Sequence, residues 1–173
     1  MARLREADRD VGKVLTAIEN SGDERETLII IASDHGYEFD ELGLGYLGHA
    51  SNYSEWQLRS TLLMRWPGRE PQSFTHRSAH QDVPATLLQE VFGCSNPAED
   101  IGSGDNLFAE RSWEWMIAGS YTSHAIVEPS QLVVTYPGGF IELLGPDYRP
   151  DESLQLNPEL MQDAMTEMRR FFR

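Results

Sequence analysis

Three consecutive residues, Asp34, His35 and Gly36, directly follow an apolar, β-branched run over 27–33, which we expect to form a buried strand. An aspartate carboxylate is a hard oxygen donor and an imidazole is a borderline nitrogen donor, and divalent ions such as zinc or manganese accept both. Successive strand residues point to opposite faces, so both side chains can reach one ion only where the backbone bends, as Gly36 permits. Two ligands do not complete a metal site. The alternative is that Asp34 caps a turn and that His35 is an ordinary residue at a strand end.

His49 is the second candidate and lies in a glycine-rich, aromatic loop over 37–52 that can fold back over the end of the same strand. A loop histidine flanked by small residues can approach an anion closely, either as a metal ligand or as a donor to a phosphoryl or sulfuryl oxygen. The alternative is an ordinary surface histidine. Nearby, Glu38, Asp40 and Glu41 can reinforce a cation site, although a solvated acidic loop explains them equally well.

Several other motifs carry weaker signals. Residues 43–48 match G-x-G-x-x-G, but the dinucleotide fingerprint must follow a strand directly and open a helix, and here polar and aromatic residues intervene. His80 and Asp82 fit better at the start of a helix, with Asp82 as its N-cap, than as metal ligands. Cys94 lacks the context of a nucleophile, and we expect it to be structural.

Composition excludes some classes of function. The chain has 28 acidic and 14 basic residues, and its net charge of -14 disfavours binding to the phosphate backbone of a nucleic acid. The sequence contains no apolar run long enough to span a bilayer, and its first residues lack the apolar stretch of a secretory signal.

The elements that must position these residues follow from periodicity and from turn residues. We predict an α/β fold in two parts, residues 1–110 as an α/β portion and residues 111–173 as a small antiparallel sheet with a closing helix. The predicted helices cover 4–20, a short segment at 53–59, 82–92, and a final segment from Asn157, as N-cap, to Phe172; the predicted strands cover 27–33, 61–66, 113–118, 125–127, 132–136 and 140–144, with a hairpin turn at Pro137-Gly138-Gly139.

Four motifs occur in a recognisable order: Ser33-Asp34-His35-Gly36, Gly48-His49, Leu62-Leu63-Met64-Arg65-Trp66-Pro67-Gly68, and Gln81-Asp82-Val83-Pro84-Ala85-Thr86-Leu87-Leu88. This series resembles the carboxyl half of the sulfatase and phosphoethanolamine-transferase branch of the alkaline phosphatase superfamily, whose fold is an α/β sandwich. The segments 48–53 and 104–108 and the later small sheet are most similar to inner-membrane sulfatase-like proteins of the YejM/PbgA type. Those proteins are associated with lipopolysaccharide and cardiolipin homeostasis.

The resemblance implies that Asp34 and His35 bind a catalytic divalent metal (Zn, Mn, Mg or Ca) and that His49 is a second-side ligand or binds the transferring group. It implies cleavage or transfer of a phosphate or sulfate ester, with a lipid headgroup among the possible substrates. In the family the nucleophile and the other carboxylate ligands lie in the amino-terminal half. We therefore expect a fragment that does not turn over substrate alone, with a missing amino-terminal half and membrane anchor, at the periplasmic face of a bacterial inner membrane.

The sequence leaves open two alternatives to a metal-dependent enzyme. One is a non-catalytic sulfatase-like module that binds lipid headgroups or protein partners in the homeostasis of envelope lipids. The other is an unrelated α/β binding domain in which the motifs occur by chance. Metal bound at Asp34 and His35 favours the enzyme, whereas an empty or blocked site favours the binding module.

Overall fold

A computed structural model describes residues 2–109 and 113–170 of the chain. These residues form two compact units: the first is built from 2–36 and 59–73, and the second from 37–58, 74–109 and 113–170. In chain order, the described elements are α1 (Ala2–Ser21), β1 (Ile29–Ala32), β2 (Glu38–Phe39), β3 (Leu47–Gly48), α2 (Glu55–Leu58), β4 (Leu62–Arg65), α3 (Asp82–Glu90), α4 (Ala98–Ile101), β5 (Met116–Gly119), β6 (His124–Val127), β7 (Leu132–Thr135), β8 (Ile141–Leu144) and α5 (Pro158–Arg169).

The first unit contains α1 and an antiparallel pair of strands, β1 and β4, in which Ile30 pairs with Met64. The ladder continues past β1, because the Ser33 amide donates to the Thr61 carbonyl at 3.0 Å. The expectation that β1 is buried is wrong within this unit: its isoleucines are only half-buried and Ala32 is exposed. A strand is buried by what packs on it, and the sheet of this unit has two strands only.

In the second unit, β2 and β3 form a short antiparallel hairpin, with Glu38 opposite Gly48 and Phe39 opposite Leu47. The G-x-G-x-x-G match therefore lies in a hairpin loop and its returning strand, where Gly43 and Gly45 adopt positive φ. It does not join a strand to a helix, so it lacks the geometry that binds a dinucleotide.

A four-stranded antiparallel sheet in the order β5-β6-β7-β8 forms the centre of the second unit. As predicted, residues 137–139 make the turn between β7 and β8, and the Tyr136 amide donates to the Phe140 carbonyl at 2.8 Å. One face of the sheet packs around Ala125, Leu132 and Val134, and the other packs Ile126 and Val133 against Ala164 of α5; all six are buried.

Helix α5 begins as the sequence predicts, because the Asn157 side chain accepts the amides of Glu159 and Leu160. The predicted continuation to Phe172 lies outside the described residues, as does the predicted boundary between 110 and 111.

The prediction that Asp82 caps α3 is wrong by one position. Asp82 is the first helical residue, and Gln81 before it makes no side-chain capping bond. The buried Asp82 carboxylate instead accepts the amides of Ala79 at 2.7 Å and Asp105 at 2.8 Å. The bond from Asp105 connects the start of α3 to the segment 104–108. Capping patterns involve only neighbouring residues, so they do not predict this long-range contact.

Candidate functional site

Asp34 and His35 lie immediately after β1, in a tight turn. The Asp34 Oδ1 atom accepts the His35 amide at 3.0 Å, and the Ser33 hydroxyl donates to the His35 carbonyl at 2.7 Å. Both side chains reach solvent, with 86% of the Asp34 side chain and 39% of the His35 side chain exposed. The turn therefore presents a carboxylate and an imidazole side by side at the end of a strand.

The hydrogen bonds of His35 determine which ring nitrogen can bind a cation. Its Nδ1 atom lies 2.7 Å from the Gly36 carbonyl oxygen, which can only accept, so Nδ1 carries the proton. The lone pair of the neutral ring then resides on Nε2. Metal-binding histidines commonly donate their other ring N–H to a backbone carbonyl in this way, because that bond fixes the tautomer and the ring orientation.

The distance between the two candidate ligand atoms fits a shared ion. His35 Nε2 lies 3.5 Å from Asp34 Oδ2. Two ligands of a tetrahedral zinc ion, each about 2.0–2.1 Å from the metal, are about 3.3–3.4 Å apart. These two residues thus fit as half of a divalent-metal site. Within 2–109 and 113–170, no group of three or more His, Cys, Asp or Glu side chains is placed to hold a metal ion.

The acidic residues that follow this turn in the sequence, at 38, 40 and 41, have other roles in the second unit. Asp40 Oδ1 accepts the Gly45 amide at 2.6 Å, and Glu41 Oε2 accepts the Phe39 amide at 2.6 Å. Both acids therefore brace the β2–β3 hairpin from its exposed side. Glu38 differs from them, because it is completely buried.

His49 follows β3 directly, and its side chain is exposed. Its two neighbours have unusual backbone conformations: φ is +109° at Gly48 and +60° at Ala50. The imidazole lies beside the Tyr37 ring, with 6.5 Å between the ring centroids. His49 belongs to the second unit, whereas Asp34 and His35 belong to the first, so the expectation that its loop folds back over the end of β1 stays a prediction.

The residue that sequence reasoning undervalued is Glu38. Its Oε2 atom accepts three hydrogen bonds, from Asn52 Nδ2 at 2.8 Å, Ser54 Oγ at 2.9 Å and Gln57 Nε2 at 2.8 Å. The sequence does contain a signal for this burial. Neighbouring residues of a strand point to opposite faces, so Glu38 must face inward if Phe39 faces solvent. The exposed Phe39 confirms that alternation.

A cavity of about 290 Å³ in the second unit is lined by four tyrosines, Tyr46, Tyr53, Tyr136 and Tyr148. Burial and then the Glu142 carboxylate raise the pKa of Tyr136 to about 12, and burial also raises the pKa of Tyr53 and Tyr148. These three phenols are therefore neutral near pH 7. Three of these hydroxyls bond within the chain, to Ser123, Glu142 and the Glu55 amide.

Comparison with known proteins identifies the class. The family model described as Sulfatase matches residues 2–93, which is more than half of the chain. This chain belongs to the sulfatase family. The match spans both motifs that carry the candidate site, at 33–36 and 48–49.

Individual relatives agree with this class. The inner membrane protein YejM of Salmonella typhimurium is 27% identical over 169 residues, covering 96% of this chain and 28% of that protein. The steryl-sulfatase of Rattus norvegicus is 29% identical over 116 residues, covering 60% of this chain and 20% of that protein. The chain therefore spans less than a third of the length of these relatives.

A solved structure shares the fold, with a TM-score of 0.65 and 17% identity over 94% of this chain and 36% of the other. That structure is described as a complex of a protein with its substrate, D-glucosamine-2-N,6-O-disulfate. Among the described residues of this chain, no helix is both long and apolar enough to cross a membrane.

Proposed function

We propose that this chain carries part of the catalytic centre of a metal-dependent hydrolase or transferase that acts on phosphate or sulfate esters. The observation that carries the proposal is the pair of ligand atoms at the end of β1. Asp34 Oδ2 and His35 Nε2 lie 3.5 Å apart, and the Gly36 carbonyl fixes the His35 tautomer that leaves Nε2 basic. The pair lies inside the segment that matches the sulfatase family.

Each residue has a distinct role in this proposal. Asp34 and His35 hold a divalent ion, which when bound polarises the ester oxygen and lowers the pKa of the attacking hydroxyl. His49, on an exposed loop, donates to an oxygen of the phosphoryl or sulfuryl group and so stabilises the charge that develops there. We propose that the nucleophile and the remaining ligands come from residues outside this chain, since the chain covers only 28% of YejM.

The substrate and the location follow from the relatives only as proposals. A sulfated sugar is the substrate of the structural neighbour, and a sulfate or phosphate ester of that kind, including one on a lipid headgroup, suits the proposed site. YejM is named as an inner membrane protein, and we propose that this domain lies at the periplasmic face of such a membrane. The acidic surface would be repelled by anionic headgroups, so binding there would depend on an anchor or on divalent ions.

Thermal unfolding in the presence of Zn²⁺, Mn²⁺, Mg²⁺ or Ca²⁺ tests the metal site, because a ligand that binds only the folded state raises the melting temperature. At ten times the dissociation constant the gain is about 1.4 kcal/mol, or about 3–6 °C for a chain of this size. We expect the rise to disappear in Asp34→Ala. It should persist in Asp8→Ala, which removes an exposed carboxylate from α1 in the same unit.

A rise that survives in Asp34→Ala would place the metal elsewhere and refute the assignment. If none of the four metals raises the melting temperature of the wild type, there are two explanations. Either the ligands outside this chain are indispensable for binding, or the site is not catalytic and the module that binds headgroups or protein partners becomes the better hypothesis. The His35 tautomer can be tested without metal: ¹⁵N NMR of the neutral ring should show a protonated Nδ1 and an unprotonated Nε2.

A further inference from the structure

Glu38 is an acidic side chain with no exposed surface, on a two-residue strand next to solvent-exposed residues. Burying a carboxylate is costly unless donors satisfy its oxygens. Here Oε2 accepts three hydrogen bonds, whereas Oε1 is buried and has no hydrogen-bond partner among the described residues. Such an imbalance in a buried polar group calls for an explanation beyond packing, because an apolar side chain would fill the same space without the cost.

All three donors to Glu38 come from one short segment, residues 52–57, which directly follows the loop that carries His49. Hydrogen bonds also connect residues within this segment to one another and to Ser51 beside it. Gln57 Oε1 accepts the amides of Ser51 at 3.0 Å and Asn52 at 3.3 Å, and the Ser54 amide donates to Asn52 Oδ1 at 2.9 Å. Gln57 is itself 3% exposed, so these bonds are shielded from competing water.

On the other side of His49, the backbone of Glu38 pairs with Gly48 across the β2–β3 ladder. Glu38 therefore fixes the chain on both sides of His49: its backbone fixes Gly48, and its side chain fixes Asn52. Only Ala50 and Ser51 stand between His49 and that second anchor. Ala50, at a positive φ, is held in turn because its carbonyl accepts the Ser120 hydroxyl at 2.8 Å.

We propose that Glu38 is the positioning residue for His49, a carboxylate that holds the 48–57 segment so that the imidazole is presented in one fixed place. The role in chemistry rests on the proposed function of His49, but the positioning itself does not. Three donors on one oxygen give a rigid, directional anchor, because each donor must keep its hydrogen-bond distance and angle to the same acceptor atom. A packed apolar residue would supply no such direction.

The test compares Glu38→Ala and Glu38→Gln with the wild-type chain by NMR. The matched control is Glu152→Ala, which removes an exposed carboxylate from the same unit at a distance in sequence from the hairpin. In Glu38→Ala we expect the Ser51 and Asn52 amides to exchange with solvent about tenfold faster while the amides of β6 and β7 do not change. The His49 ring signal should shift, and the signals of the other four histidines should stay in place.

Glu38→Gln should restore most of the wild-type His49 signal, because its amide oxygen can accept the same donors, and Glu152→Ala should leave that signal unchanged. A wild-type His49 signal in folded Glu38→Ala would overturn the proposal. So would an equal loss of protection in β6 and β7, because Glu38 would then stabilise the unit as a whole. Should Glu38→Ala not fold, Asn52→Ala removes one donor, and an unmoved His49 signal in that variant would also overturn the proposal.

Titration with inorganic phosphate separates this inference from the proposed function. We expect phosphate to shift the His49 signal of the wild type and to bind about tenfold more weakly to Glu38→Ala, since ordering a loop on binding costs affinity. If phosphate leaves His49 unaffected in the wild type, the anion-binding role of His49 fails. The exchange and ring-signal results would still decide whether Glu38 positions it.

Discussion

Replacing Gly104 by alanine should destabilise the second unit strongly. Gly104 is buried where the chain passes over the start of α3. A Cβ atom there would lie 1.8 Å from the Gln81 carbonyl oxygen, 2.2 Å from its carbonyl carbon and 2.6 Å from the Asp82 nitrogen. Non-bonded heavy atoms normally stay about 3.5 Å apart, so the segment must move by more than about 1.5 Å. The obstacle is backbone, which cannot rotate out of the way as a side chain can.

That displacement would break the bonds that join the segment to α3. The Asp105 amide donates to Asp82 Oδ1 at 2.8 Å, and the Leu107 amide donates to Thr86 Oγ1 at 2.8 Å; both acceptors are buried. Each of the two bonds lost costs about 1–3 kcal/mol, and the overpacking itself costs about 1–3 kcal/mol, so we expect the free energy of unfolding to fall by about 3–9 kcal/mol. For a chain of this size the melting temperature should fall by at least about 6 °C.

The assay is thermal unfolding followed by circular dichroism, with Gly102→Ala as the control. At Gly102 the same methyl group would meet only the Gly104 nitrogen, at 4.0 Å, and the backbone is extended, so we expect a change within about 0.5 kcal/mol. If Gly104→Ala melts within about 2 °C of Gly102→Ala, the close approach of 104 to α3 is not a feature of the folded protein.

Three further predictions concern the rest of the chain. Gly12→Ala should stabilise α1 by about 1 kcal/mol, because a methyl group there meets no atom within 4 Å and alanine favours the helix. Urea unfolding measures this gain in the free energy of unfolding. A loss of stability would contradict the open space at Gly12. Thr86→Val keeps the buried shape of the side chain but leaves the Leu107 amide without its acceptor, so the free energy of unfolding in the same assay should fall by about 1–3 kcal/mol. An unchanged urea midpoint would show that this hydrogen bond contributes nothing to stability. Tyr136, whose pKa lies above its unfolded value of 10, should contribute stability that is full below pH 10 and is lost as the pH rises through about 12. Ultraviolet titration against Tyr136→Phe should show one phenol ionising near pH 12, and Glu142→Gln should lower that pKa only partly because burial is the larger cause.

Sequence patterns predicted the regular elements of the fold well, because their signals are local. The alternating apolar runs became β5 to β8, the Pro137-Gly138-Gly139 turn joined β7 to β8, and Asn157 capped α5. Three short elements were missed, the strands β2 and β3 of one hairpin and the single turn of α4. All three are too short to show a period, and the hairpin strands have two residues each.

The candidate ligands at the end of β1 were also readable from sequence, because an apolar strand followed by Asp34, His35 and Gly36 specifies residue types and their order. The tautomer of His35 could not be predicted from the sequence, because it depends on where the Gly36 carbonyl points after folding. Likewise the sequence shows an acidic cluster at 38, 40 and 41 but not that one member is buried.

What the sequence by itself determined is thus the family, the order of the elements and the identity of the candidate ligands. The tertiary structure alone decided that Glu38 is buried and holds the segment after His49, and that Asp82 joins α3 to the segment near Gly104. The physical reason is the same in both cases. A carboxylate is buried only when donors from elsewhere in the chain converge on it, and which donors converge is fixed by the packing of distant segments rather than by neighbours in sequence.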